Sequence, residues 1–226
     1  MEEIIIISLG GSLIIPDQID VDFLKDFKNL ILLHISQGKK FIIITGGGKI
    51  CRRYQEVAKE ISNPSNEDLD WIGIASLKLN AELLRVIFSE KAHEKVVSDP
   101  HQKLSFEKSI IICSAYKPGR STDWDTVIVA KNVGAKKVIN LSNIDYVYDS
   151  DPKINPNAKK IEKISWAEYR SIIPKEWNPG LNTPFDPIAS EMAEKEGMQV
   201  VIMNGKPVSN LAKCLNGEKF LGTIIE

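Results

Sequence analysis

Six short apolar runs punctuate the chain, at residues 4–7, 41–44, 109–113, 137–141, 199–203 and 223–225. Each is close to continuous instead of alternating, which is the pattern of a strand buried on both faces. Between them lie helix-length stretches in which apolar residues recur every three or four positions: 21–37, 49–61, 71–89, 123–133 and 187–196. Strand and helix therefore alternate, predicting an α/β fold with a mostly parallel sheet covered on both sides. Punctuation agrees: Asp20 stands where an N-cap belongs, and Gly38, Gly134 and Gly197 close helices just ahead of their strands. Residues 142–161 form the longest turn-rich segment, and 173–187 is a second, proline-rich one. Structured loops of this length tend to carry function.

At 226 residues, folding removes roughly 70% of the unfolded chain's surface from water, so a sizeable core is available. The 29 basic and 30 acidic side chains nearly cancel, which argues against general nucleic-acid binding but leaves room for a local basic pocket. Cys51, Cys113 and Cys214 are odd in number and far apart, so neither a disulfide framework nor a zinc site is expected, and a reducing cytoplasm is the default location. No apolar run is long enough to cross a bilayer, and the first residues lack the basic flank of a secretory signal. His34, His93 and His101 share no ligand spacing with each other or with cysteine. They are expected at the surface, and no metal-ligating set is expected.

Glycine changes the picture. "SLGGS" follows the first strand and "TGGGK" the second, and ligands in open parallel sheets bind at the carboxyl ends of strands. Glycine lets backbone N–H groups approach phosphate oxygens, and a helix N-terminus adds favourable partial charge. Lys49, Arg52 and Arg53 follow directly. The Walker pattern is absent, since Ile43 stands where its first glycine belongs and Ile50 follows Lys49. The dinucleotide fingerprint fails too: position 51 is cysteine, and Asp70 follows a polar stretch instead of ending a strand. A third stretch, "AYKPGRSTDWD", offers a turn, a cation, hydroxyls and a helix cap. In the fourth, "SNIDYVYDSDPK", the acids are those of a turn more readily than of a metal site. Without a covalent nucleophile, the economical chemistry is phosphoryl transfer by positioning and charge neutralisation.

The ordered set "SLGGS", "GGGKICRRYQEVAKE", "DWIGIASLKLNAELL", "GRSTD", "LSNIDYVYDSDPK" with "NPNAKKI", "PFDPIASEMAEKEG" and "GTIIE" spans essentially the whole chain. It resembles the amino-acid kinase superfamily and, within it, the archaeal-type uridylate kinases. The resemblance implies a three-layer α/β/α sandwich of the carbamate kinase-like type, one domain over residues 1–226. The part to about residue 135 would hold the acceptor nucleotide, UMP, and the part from about 136 would hold ATP. Gly11, Ser12, Gly48, Arg52, Ser142, Tyr148 and Asp151 would serve ATP. Gly47, Asp70, Lys117, Pro118, Gly119, Arg120, Ser121 and Thr122 would serve UMP, with Asp70 accepting from the ribose hydroxyls. Mg²⁺ would enter with ATP, and a homo-oligomer, a hexamer in the family, is implied, with residues 71–89 offering an interface.

Many superfamily members carry a lysine where Ser8 stands, so another cation must neutralise the transferring group. Lys49 and Arg52 are the candidates, with Asp123 orienting cations. Tyr146, Trp124, Asp125 and the loop 176–182 also depart from the usual pattern. Two other readings stay open: a same-fold kinase for another small phosphate or acid, such as isopentenyl phosphate, carbamate or acetylglutamate, and a non-catalytic oxyanion-storage protein that binds ATP.

Overall fold

The computed structural model describes residues 3–176 and 183–226, so the expectation placed on the loop 176–182 falls almost wholly outside the described residues. The strands are β1 (Ile4–Leu9), β2 (Lys40–Thr45), β3 (Ile110–Cys113), β4 (Lys137–Ser142), β5 (Val147–Tyr148), β6 (Lys160–Ile161), β7 (Lys163–Ile164), β8 (Gln199–Asn204) and β9 (Thr223–Ile225). The α-helices are α1 (Gly11–Ile14), α2 (Val21–Ser36), α3 (Gly48–Ile61), α4 (Asn66–Phe88), α5 (Thr122–Asn132), α6 (Trp166–Ile172), α7 (Pro187–Lys195) and α8 (Val208–Leu215).

Seven strands build one sheet in the order β3-β2-β1-β4-β8-β9-β7, in which only the β8–β9 pairing is antiparallel. Because successive side chains point to opposite faces, each strand feeds two cores. Ile5, Ile7, Leu9, Phe41 and Ile43 pack toward α1, α2, α4 and α8. Ile6, Ile42, Ile44, Val138 and Val200 pack toward α5, α6 and α7. Both faces are thus dry, which is why the strands read as unbroken apolar runs, and the expected α/β/α layering stands.

Differences from the sequence reading have local causes. Strands β1, β2, β4 and β8 run one or two residues beyond their apolar runs, because backbone pairing continues into Leu9, Thr45, Ser142 and Asn204, whereas β3 starts one residue late and β9 matches its run. Helix α4 starts at Asn66, not Trp71, under a capping box between Ser65 and Asp68; its first turn is mostly exposed and carries no apolar rhythm. Asp70 therefore projects from a helix instead of a loop. Helices α1, α6 and α8 are too short to show a period, and the turn-rich segment 142–161 hides a small β5–β6 hairpin. His34, expected at the surface, is buried, because it lies on the same face of α2 as Phe27 and Ile31. Its Nδ1 has no hydrogen-bond partner among the described residues, and burial pushes its pKa down. Among the described residues, no helix is long and apolar enough to cross a membrane.

Candidate active site

Strand β1 lies between β2 and β4, so the winding of the chain reverses beside it and opens a crevice at the carboxyl ends. Two glycine turns meet there. The Gly10 N–H donates to the Leu141 carbonyl of β4 at 2.8 Å, and the Gly46 N–H donates to the Leu9 carbonyl at 2.9 Å. The turns touch backbone to backbone: a methyl group on Gly11 would sit 2.1 Å from Gly48 N and 2.6 Å from Gly46 C. Gly48 has φ +71°, which glycine adopts without strain. Asn80 of α4, itself buried, donates to the carbonyls of Gly46 (2.8 Å) and Gly47 (3.3 Å) and fixes the second turn.

Gly47 caps α3 without a side chain, leaving first-turn N–H groups with no side-chain acceptor, as suits an anion. Ser12 lies one residue beyond Gly11 in α1. The first turn of α3 carries Lys49 and continues to Arg52. Lys49 is paired with Asp17 at 2.7 Å, which holds that carboxylate below its usual range. Arg52 forms no ion pair among the described residues.

The acceptor-side residues come together. A cavity of about 640 Å³ is lined by Asn66, Glu67, Asp70 and Trp71 of α4 and by Lys117, Pro118 and Gly119 of the loop after β3. One Asp70 oxygen accepts the Gly119 N–H at 2.8 Å. The Arg120 guanidinium stacks 4.8 Å from the Trp124 ring centre. Ser121 caps α5 by accepting the Trp124 N–H at 3.1 Å, and Thr122 opens that helix.

The donor-side residues are gathered less completely. Ser142 ends β4; its carbonyl accepts the Gly205 N–H at 3.0 Å and its hydroxyl accepts the Ile144 N–H at 3.3 Å. Beside it, Asp145, Asn204, Lys206, Asn210, Lys219 and Phe220 help to line a cavity of about 360 Å³. Tyr148 instead stands opposite Lys160 in the hairpin, and Asp151 accepts the Lys153 N–H at 2.9 Å to hold a turn. Neither lines that cavity.

Two carboxyl groups, Asp123 and Asp186, meet between the two sides, and a third, Asp125, is buried farther along α5. Asp123 accepts the Asp186 N–H at 3.0 Å and a long bond from Asn140 Nδ2 at 3.4 Å. Asn140 faces Ser8 across the β1–β4 register. Close protein surroundings push the Asp123 pKa up to about 7, the Asp186 N–H pulling against that, although the side chain keeps some contact with solvent. Asp186 caps α7 through the Ala189 N–H at 2.7 Å and hydrogen-bonds Ser121; burial raises its pKa. Asp125 is fully buried: one oxygen accepts the Tyr116 N–H at 3.2 Å, and the other has no partner among the described residues. Burial pushes its pKa up to about 7, with Tyr116 N–H and Arg120 opposing.

Asp125 has a consequence for stability. Its folded pKa of about 7 lies above its ordinary 3.8, so the fold holds a proton that the unfolded chain has released. The stability from this group is complete below about pH 4 and is lost as pH rises through about 7. Melting curves from about pH 5 to about pH 8.5 should therefore show a smaller decline in Tm for Asp125→Asn than for the native protein. Parallel declines would contradict the burial argument.

Asn80, Asn140 and Asp186 carry no role in the sequence reading. Asn80 and Asn140 had a signal: each is an amide at a core position of an otherwise apolar element. Asp186 reads only as a cap before Pro187.

Comparison with known proteins agrees with the geometry. The sequence model of the amino acid kinase family matches residues 3–204. A uridylate kinase of Pyrococcus abyssi is 34% identical over 98% of this chain and 99% of its own length. One from Staphylothermus marinus is 38% identical over 86% of this chain and 88% of its own. The crystal structure of uridylate kinase from Archaeoglobus fulgidus superposes with a TM-score of 0.82 at 29% identity, covering 99% of this chain and 100% of that one. The two glycine turns at the β1–β4 crevice are thus those of a kinase scaffold, and the chain belongs to the amino acid kinase family, in its uridylate kinase branch.

Proposed function

We propose that the protein transfers the γ-phosphoryl group of ATP to UMP, giving UDP and ADP, as a step of pyrimidine nucleotide biosynthesis. The observation that carries this reading is the cavity that the Asp70 carboxylate lines together with Lys117, Pro118 and Gly119. A carboxylate has about four lone-pair directions; with one oxygen on Gly119 N–H, acceptor capacity remains for two adjacent ribose hydroxyls. Gly47, Arg120, Ser121 and Thr122 complete the acceptor side. Gly11, Ser12, Gly48 and Ser142 cradle the ATP phosphates, and the cavity beside Asn204 takes the nucleoside end, with Tyr148 and Asp151 outside it. The division near residue 135 follows, with α5 and its loop on the acceptor side.

Transfer of a phosphoryl group needs charge neutralisation more than covalent help. Arg52, with no ion pair of its own, is the cation best placed to follow the moving charge, and Lys49 joins it by exchanging Asp17 for phosphate. The UMP phosphate arrives ionised, so Asp123 serves by orienting its surroundings and not as a strong base. Mg²⁺ is proposed to enter as part of the ATP complex, held mainly by the nucleotide's own phosphate oxygens. A homo-oligomer, a hexamer in our reading, suits the exposed apolar residues Tyr54, Val57 and Ile61 of α3 and Trp71, Leu79 and Val86 of α4. A cytoplasmic location is part of the same proposal.

The test is ADP release with Mg-ATP and a panel of UMP, CMP, AMP, isopentenyl phosphate, carbamate and acetylglutamate. UMP alone should support fast turnover. Asp70→Asn should lower kcat/KM for UMP by about two orders of magnitude, mostly through KM, with the KM for ATP unchanged. Turnover with a different acceptor, or ATP binding with no turnover at all, would replace this reading with a related kinase or a storage protein.

A further inference from the structure

The Tyr169 hydroxyl, on α6, sits at the centre of a buried pair of bonds. It donates to the Phe185 carbonyl at 2.7 Å and accepts the Phe185 N–H at 2.7 Å, so it holds both backbone polar groups of one residue. The ring is completely buried, packed edge-on against Trp166, which itself leans on Phe185. The next N–H along the chain, that of Asp186, is the one that donates to Asp123 at 3.0 Å. The Asp186 carboxylate then caps α7 and hydrogen-bonds Ser121, the residue that caps α5.

We propose that Tyr169 is a positioning residue for phosphoryl transfer, aiming Asp123 through the Phe185–Asp186 backbone without touching either nucleotide. The inference rests on the role proposed above for Asp123. A stretch of chain entering a helix after a loop has few restraints of its own, and backbone groups buried there must be paired. A single phenol that pairs both Phe185 groups fixes the peptide plane after it, and with it the direction of the Asp186 N–H. Among the described residues Asp123 has two hydrogen-bond donors, and the other, from Asn140, is the longer. Its orientation therefore depends chiefly on Asp186. Loss of the phenol would let that N–H drift, and weakening a bond to the charged form moves a carboxyl pKa upward, beyond the value near 7 that its surroundings already impose.

The test pairs Tyr169→Phe with Trp166→Phe, which disturbs the same cluster and the Trp166 Nε1–Met198 carbonyl bond but leaves both Phe185 bonds intact. In the proposal, Tyr169→Phe lowers kcat about tenfold, leaves KM for UMP and ATP within about twofold, and moves the acid limb of the kcat profile to higher pH. Trp166→Phe, at a comparable loss of Tm, does neither. Equal kinetic behaviour of the two variants overturns it.

Hydrogen exchange supplies a readout independent of activity. In Tyr169→Phe the Asp186 amide should lose protection together with that of Phe185; unchanged protection at Asp186 overturns the proposal. If the native protein shows no UMP turnover, the proposed function has failed, and the exchange result alone decides whether the clamp exists. Should Tyr169→Phe not fold, the native protein decides: a clamp requires the Phe185 and Asp186 amides to exchange through one shared opening, and independent rates overturn it.

Discussion

Gly11→Ala is expected to abolish UMP phosphorylation and to lower Tm by about 6–12 °C, corresponding to roughly 3 kcal/mol in a chain of this size. The added methyl group would meet Gly48 N at 2.1 Å and Gly46 C and O at 2.6 Å. These are backbone atoms, so no side-chain rotation relieves the overlap, and the two turns must separate. Gly46 is anchored by its N–H to β1 and by its carbonyl to Asn80, so separation breaks restraints on both sides of the phosphate cradle. Gly38→Ala is the control. Gly38 has φ +89° with nothing within 4 Å of a new Cβ, so alanine there suffers only left-handed strain, about 1 kcal/mol, with kcat unchanged. Differential scanning calorimetry and the ADP-release assay would separate the two variants. If Gly11→Ala melted like Gly38→Ala and kept its activity, the contact between the turns would not be structurally required.

That contact also shows where the sequence was legible and where it was not. Two glycine clusters at strand ends announced backbone that must come close to something, and strand alternation put them at the same edge of a sheet. What they approach first is each other, a tertiary fact with no local signature. Six strands were legible because both faces of the sheet are dry, so each reads as a short continuous apolar run between turn residues, whereas the two-residue β5, β6 and β7 are too short to form one. The start of α4 was not, because its capping turn is exposed and only Ser65 and Asp68 mark it. His34 misled because one polar residue on an apolar helix stripe reads as a boundary of the buried face, whereas here it lies within it. Asp123 was found as part of a recognisable motif, but its partners Asn140 and Asp186 come from β4 and the start of α7, 17 and 63 residues away. A network closed across such separations cannot be read from spacing. The same holds for Tyr169, which in sequence is an ordinary aromatic residue of a seven-residue helix.

Asp123→Asn is expected to lower kcat by two orders of magnitude or more while leaving KM for both nucleotides within a fewfold, because in the proposed role its charge orients the groups that stabilise the transition state and so acts on the chemical step and not on ground-state binding. The variant keeps the shape of the side chain but removes its charge. It also offers an NH₂ group where either the Asp186 N–H or Asn140 Nδ2 needs an acceptor, so one of the two bonds is lost. The pH profile identifies the group. If ionised Asp123 is the working form, native kcat rises through about pH 7, the value to which its surroundings push it. Asp123→Asn should lose that limb. Asp186, whose pKa burial also raises, interacts electrostatically with Asp123 and shares its limb, and two further groups titrate nearby. Asp125 has a raised pKa of the same size, but it faces Tyr116 and the base of the acceptor loop, so Asp125→Asn should keep the limb. The second ionisation of a phosphate monoester falls near pH 6, and any limb due to UMP itself would persist in both variants. A limb that vanishes with Asp123 alone assigns it to that carboxylate. A limb that survives in Asp123→Asn would mean that its charge is not what the reaction reads, and the orienting role would then pass to Asp186 beside it.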